Sequence, residues 1–149
     1  MTQQKILAAI DGSEYSSLIV DKAMEMAQLV DAEIILLHCH RKFSIIESHA
    51  YREEEMSHII NEADKLAALR SCDLLVQPSP HEAFGIVFLE AWIMGKPVIG
   101  ARTLAVSSVI EDGQDGLLAE PGDAGDLAAC LLQLLADSDL VHRMGARGR

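Results

Sequence analysis

At 149 residues, half of them hydrophobic, the chain suits one domain with a single core and enough burial for a stable fold. A formal charge of −11 argues against a nucleic-acid backbone or an anionic membrane as partner. No signal peptide is read, and no apolar run reaches the ~18 residues of a membrane span, so a cytoplasmic protein is expected. Three cysteines, Cys39, Cys72 and Cys130, are odd in number and share no C-x-x-C spacing, which suits buried free thiols in a reducing compartment.

Residues 5–10, KILAAI, form a buried-type strand that stops at Asp11-Gly12-Ser13, a turn and helix N-cap signal. The helix that follows, 14–30, carries Ile19, Ala23, Met26, Ala27 and Val30 at helical spacing, and a second strand, 33–39, completes a parallel crossover unit. The pattern lapses over 41–50, which reads as a surface loop. Helical spacing returns over 52–69 in Met56, Ile59, Ile60, Ala63, Leu66, Ala67 and Leu69, opposite a solvated face of Glu53, Glu54, Glu55 and Glu62. His38, His40, His49 and His58 lack the i, i+4 spacing of a helical metal pair, so no metal site is expected.

Beyond them, Leu74-Leu75-Val76 is a short buried-type strand (73–77) stopped by Pro78-Ser79-Pro80. A helix over 84–94, apolar nearly all round and so expected to pack tightly, ends at Gly95, and a strand follows over 97–101. A short helix near 106–111, a strand over 116–119 and a final helix over 124–136 complete the series. Asp137-Ser138-Asp139 reads as a turn at a helix end, and Gly113 to Gly116 as a turn before a strand. The fold class is α/β: a single three-layer, doubly wound domain with a five-stranded parallel sheet in the flavodoxin-like, Rossmann-like order 2-1-3-4-5. That order brings Asp11 and the loop from Pro78 to Gly85 to neighbouring carboxyl ends at the switch point.

Two carboxylates interrupt the apolar passage, Glu82 in the loop and Glu90 in the helix. An ionised Glu in such a helix is costly unless it is paired, so Glu90 sits at an exposed edge or is reserved for a polar partner. Glu82-x7-Glu90, with Phe84-Gly85 after the first Glu, Glu90-Ala91, and Gly95-Lys96-Pro97-Val98 closing the unit, resembles the donor-binding half of retaining GT-B glycosyltransferases of group 1. The resemblance continues through Val109-Ile110-Glu111-Asp112-Gly113, Asp115-Gly116-Leu117-Leu118 and Glu120-Pro121-Gly122-Asp123. It implies that Glu82 contacts sugar hydroxyls of a nucleotide-sugar, that Glu90 holds the ribose, that Gly85 opens the helix near phosphate, and that no metal is needed. Ser107-Ser108 replaces the family's usual Pro-Glu, and Leu104-Ala105 stands where small glycines let backbone approach a diphosphate.

The first part of the chain resembles a different family. Ile6 to Glu14, ILAAIDGSE, followed by a helix and Glu33-Ile34-Ile35-Leu36-Leu37-His38, is similar to the opening of a universal stress protein domain, many of which bind ATP. That resemblance places Asp11 at the nucleotide edge of the first strand and Cys39 beside the base, but the family's late glycine-rich phosphate loop is absent. The two resemblances meet near Leu66 with no Pro-, Gly- or Ser-rich linker, so one domain over 1–149 is expected, with a stress-protein-like half (1–65) and a glycosyltransferase-like half (66–149).

Three functions stay open: a nucleotide-sugar-binding domain of glycosyltransferase type, not catalytic alone because the acceptor domain and cationic diphosphate clamp are missing; a stress-protein-like regulatory module; and a recombined chimera without selected activity. The candidate ligand-binding residues are Asp11, Glu82, Phe84, Gly85 and Glu90. No catalytic residue and no required cofactor are assigned, the candidate ligands are a nucleotide-sugar or ATP, and homodimerisation is left open.

Overall fold

The computed structural model describes residues 3–10, 14–39, 43–47, 62–82 and 85–149. Six strands form one sheet, β1 (Lys5–Ile10), β2 (Glu33–Cys39), β3 (Phe43–Glu47), β4 (Leu74–Gln77), β5 (Val98–Ala101) and β6 (Gly116–Ala119), in the order β3-β2-β1-β4-β5-β6. The pairs β2–β1, β1–β4, β4–β5 and β5–β6 are parallel, so the expected five-stranded order is present. The sixth strand is a correction. Phe43 to Glu47 pairs antiparallel with β2, from Cys39↔Phe43 to Ile35↔Glu47, where the sequence reads as loop. Five residues flanked by charge and serine are too few to show an alternating pattern, yet Phe, Ile and Ile suit an edge that needs only one partner.

Alternation along the strands sends side chains to opposite faces, and so to two clusters rather than the single core expected. Ile6 and Ala8 of β1, Leu74 and Val76 of β4, Ile99 of β5, and Leu117 and Ala119 of β6 enter one cluster. It is closed by α1 (Glu14–Val30), α5 (Ala124–Ala136) and α6 (Ser138–Gly148). Leu7, Ala9, Leu75, Val98 and Leu118 enter the other, beneath α2 (Glu62–Ser71), α3 (Ile86–Ile93) and α4 (Leu104–Ser107). Strands covered on both faces read as unbroken apolar runs, which is why β1 is legible at once.

Several helices depart from expectation. On α1, Ala23, Met26 and Ala27 are buried as predicted, joined by Val20; the side chains of Ile19 and Val30 lie outside those described, as do residues 48–61 and most of the helix expected over 52–69. The buried side of α2 is Lys65, Ala68 and Leu69, while Ala63 and Ala67 are exposed. Helix α3 buries Phe88, Ala91 and Trp92 but leaves Ile86, Leu89 and Ile93 exposed, so it is not packed all round.

The end of α3 is a Schellman arrangement. Gly95, at φ 71°, donates to the Trp92 carbonyl, and Lys96 N–H reaches the Ala91 carbonyl at 2.9 Å. Thr103 starts α4 earlier than expected, its Oγ1 accepting from Val106 N–H at 3.3 Å. Asp137 is no mere turn: its carboxylate accepts from Leu140 N–H at 2.9 Å and so opens α6, a helix the sequence reading missed. A Cβ on Gly145 of α6 would overlap the Gly95 carbonyl oxygen, and one on Gly148 would overlap the Trp92 ring. This helix thus clamps the end of α3.

Candidate functional site

The sheet's connections diverge from β1, to β2 on one side and β4 on the other, so the carboxyl ends of β1 and β4 flank the switch point where open α/β sheets receive ligands. Of the residues predicted there, Asp11 and Phe84 lie outside the described residues. Glu82 and Gly85 lie between β4 and α3, and Glu90 lies on α3.

Glu82 binds the end of the strand to the start of the helix. Its Oε2 accepts from Gln77 Nε2 at 2.6 Å and its Oε1 from Gly85 N–H at 2.7 Å. Both oxygens therefore serve the protein. Gly85 has φ 72°, and a Cβ there would run into the Phe88 ring, so the turn into α3 demands glycine on two counts. Beyond it, the amino end of α3 carries the positive end of the helix dipole.

Glu90, in the second turn of α3, has the polar partner its setting requires. Lys65 of α2 places its Nζ 2.6 Å from Oε1, with the lysine side chain 7% exposed and the glutamate 20%. The second carboxylate oxygen makes no hydrogen bond among the described residues. Reading the sequence missed Lys65, although Lys65, Ala68, Leu69 and Cys72 fall at i, i+3, i+4 and i+7, so the lysine occupies a position on the buried stripe. It also missed Gln77, which is 6% exposed and leaves Oε1 without a partner among the described residues. A buried acceptor in that state costs about 1–3 kcal/mol.

The ends of β5 and β6 are tied by Arg102, which meets Asp112 Oδ2 at 2.6 Å, Glu120 Oε1 at 2.9 Å and the Leu118 carbonyl at 2.9 Å. Its guanidinium is raised above its ordinary pKa, chiefly by the hydrogen bond to Asp112. Leu104, where the family pattern has glycine, opens α4 and stands 96% exposed. Ser107 and Ser108 are exposed as well.

Cys72 and Cys130 are free and buried. Burial pushes the Cys72 thiol up to about 12 and the Cys130 thiol up to about 11, so both are protonated and poorly nucleophilic. The side chains of Cys39 and of the four histidines from His38 to His58 lie outside those described. No group of three metal-ligating side chains is found among the described residues, and no described helix is long and apolar enough to cross a membrane.

The family of glycosyl transferases group 1 matches residues 44–149. N-acetyl-alpha-D-glucosaminyl L-malate synthase of Bacillus anthracis is 31% identical over 152 aligned positions, which take in 98% of this chain and 40% of that protein. D-inositol 3-phosphate glycosyltransferase of Nocardia farcinica is 41% identical over 78 residues, 52% of this chain and 17% of that protein. The chain thus spans well under half the length of these relatives. Among solved structures, the C-terminal domain of the group 1 glycosyl transferase LpcC from Francisella tularensis superposes with a TM-score of 0.72 at 21% identity, covering 97% of this chain and 82% of that one. Anabaena HepE, solved with UDP-glucose, gives a TM-score of 0.71 at 19% identity over 99% of this chain and 43% of that one.

The Bacillus anthracis relative and the two solved structures match through the first 65 residues as well as the rest. The resemblance of 1–65 to a universal stress protein, and with it the join at Leu66 and the chimera, finds no support in them. The physical reason is plain: strand, Asp-Gly-Ser turn, helix and strand are requirements of any parallel α/β opening, so those residues report the fold rather than the family.

Proposed function

The chain belongs to the group 1 glycosyltransferases, and from that premise we propose that it is the donor-binding domain of such an enzyme, receiving a nucleotide-sugar across the carboxyl ends of β1, β4 and β5. The observation that carries this reading is the pair Glu82 and Glu90, held eight residues apart by the turn into α3 beside the switch point. In this reading Glu90 accepts from ribose hydroxyls, Glu82 from hydroxyls of the transferred sugar, and the amino end of α3 at Gly85 faces the diphosphate. The reading also assigns Asp11 and Phe84, which lie outside the described residues, to the ligand. A related fold, that of HepE, was solved with UDP-glucose, which supports a nucleotide-sugar over ATP. No metal or other cofactor is given a role.

Transfer itself belongs to the complete enzyme. Proximity and exclusion of water need walls on both sides of the reacting centre, and a leaving diphosphate needs cationic stabilisation that these two carboxylates do not supply. The relatives are more than twice as long as this chain, consistent with further contributions from outside it.

Thermal unfolding with UDP-glucose, UDP-N-acetylglucosamine, ADP-glucose and ATP tests the reading. A ligand at a hundred times its Kd stabilises the folded state by about 2.7 kcal/mol, and each kcal/mol moves Tm by roughly 2–4 °C at this length, so a shift of about 5–10 °C is expected with a nucleotide-sugar. Glu90→Gln should reduce that shift and also lower Tm without ligand, because the buried Lys65 ammonium loses a charged partner. A shift with ATP alone, or with none of the four at millimolar concentration, would overturn the reading.

A further inference from the structure

We propose that Lys65 is a positioning residue for ribose recognition: it fixes one oxygen of Glu90 and thereby presents the other to the nucleotide. The inference rests on the reading above that Glu90 faces the ribose. Three observations carry it. The ammonium is 2.6 Å from Oε1, a short charge-assisted contact. The lysine side chain is only 7% exposed, so its charge has been taken out of water to stand behind the carboxylate. The glutamate keeps 20% exposure, and its other oxygen is not engaged by the described residues.

Stability alone does not account for this pair. A buried Lys–Glu contact roughly breaks even against an apolar replacement of similar volume, because desolvating both charges offsets their attraction. A bound nucleotide changes the balance. It would strip the remaining water from Glu90, and a carboxylate covered on all sides keeps its charge only when a counter-charge is already in contact. Lys65 supplies that counter-charge from α2, leaving the face of α3 clear. It also restricts the glutamate to one orientation, so a ribose hydroxyl meets an acceptor that need not be ordered on binding. A simple clip between α2 and α3 would do none of this.

The readout that separates the two roles is discrimination at the ribose. Binding of UDP and ADP, each beside its 2′,3′-dideoxy counterpart, is measured by calorimetry on wild type, Lys65→Met and Lys65→Arg. Lys65→Met should weaken whichever ribonucleotide binds by about tenfold, the loss of one charge-assisted hydrogen bond, and leave the dideoxy form within about twofold. Lys65→Arg should restore most of the preference. Should Lys65→Met fail to fold, Lys65→Gln keeps an uncharged N–H donor group and should cut the preference about threefold. Equal weakening of both forms, or no change in either, would reduce Lys65 to a structural clip and overturn the proposal while leaving the donor-site reading intact. A wild type that binds without preferring ribose would remove Glu90 from the ribose and take the proposal with it; one that binds no nucleotide would overturn both.

Discussion

Glu82 and Glu90 interrupt the same apolar passage, yet the protein uses them differently. Glu82 uses a lone pair of each oxygen on Gln77 and Gly85 and so shapes the turn, whereas Glu90 is gripped at one oxygen among the described residues. Both are legible in the sequence, as is Gly85, because a charge or a missing side chain breaks an apolar run. Their partners are not legible in the same way: which charge Lys65 meets depends on how α2 lies against α3, and no local pattern states that. Cysteine burial, by contrast, is readable from spacing and composition, and it has a measurable consequence. The Cys72 thiol is held near 12, far above its unfolded value of 9.0, so the unfolded chain loses this proton first. Its contribution to stability is complete below about pH 9 and falls as pH rises toward 12, at up to about 1.4 kcal/mol per pH unit. Urea unfolding at pH 8, 9.5 and 10.5 should show a steeper decline for wild type than for Cys72→Ala; identical slopes would show that the thiol ionises freely in the folded state.

Elements with a strong period or a hard stop are the ones the sequence declares: β1, β4, β5, β6, α1 and α5 lie where apolar runs and turn residues put them. The two it hides fail for different reasons. Strand β3 is an edge with one hydrogen-bonded neighbour and too few residues to alternate convincingly. Helix α6 begins at the residue that ends α5, and an Asp at such a junction serves equally well as a turn. What betrays α6 in retrospect is glycine where a helix would rather have alanine, since Gly145 and Gly148 admit the Gly95 carbonyl and the Trp92 ring. Gly145→Ala should therefore destabilise by about 1–3 kcal/mol through overpacking, despite the better helix propensity of alanine. Guanidinium unfolding measures it, and a stabilised Gly145→Ala protein would mean that α6 does not rest on the Gly95 turn.

For the whole molecule, the order β3-β2-β1-β4-β5-β6 leaves no seam at Leu66. Strand β1 lies between β2 and β4, and the cluster that closes over α1 and α5 draws on residues from Ile6 to Met144. We expect one cooperative unfolding transition and no folded fragment after cleavage near Leu66. A protease-resistant piece ending or starting there, with dispersed amide signals of its own, would contradict that. The placing of β1 also has a consequence during synthesis. One of its flanking partners, β2, follows after a single helix, but β4 begins only at Leu74, and between Ile10 and that point the ribosome spends roughly 3–13 s at about 5–20 residues/s. Throughout that interval one side of KILAAI is an unpaired strand edge, apolar from Ile6 to Ile10, the kind of surface on which nascent chains stick to one another or are held by chaperones. The strand that anchors the finished sheet is thus its most hazardous stretch while the sheet is being made.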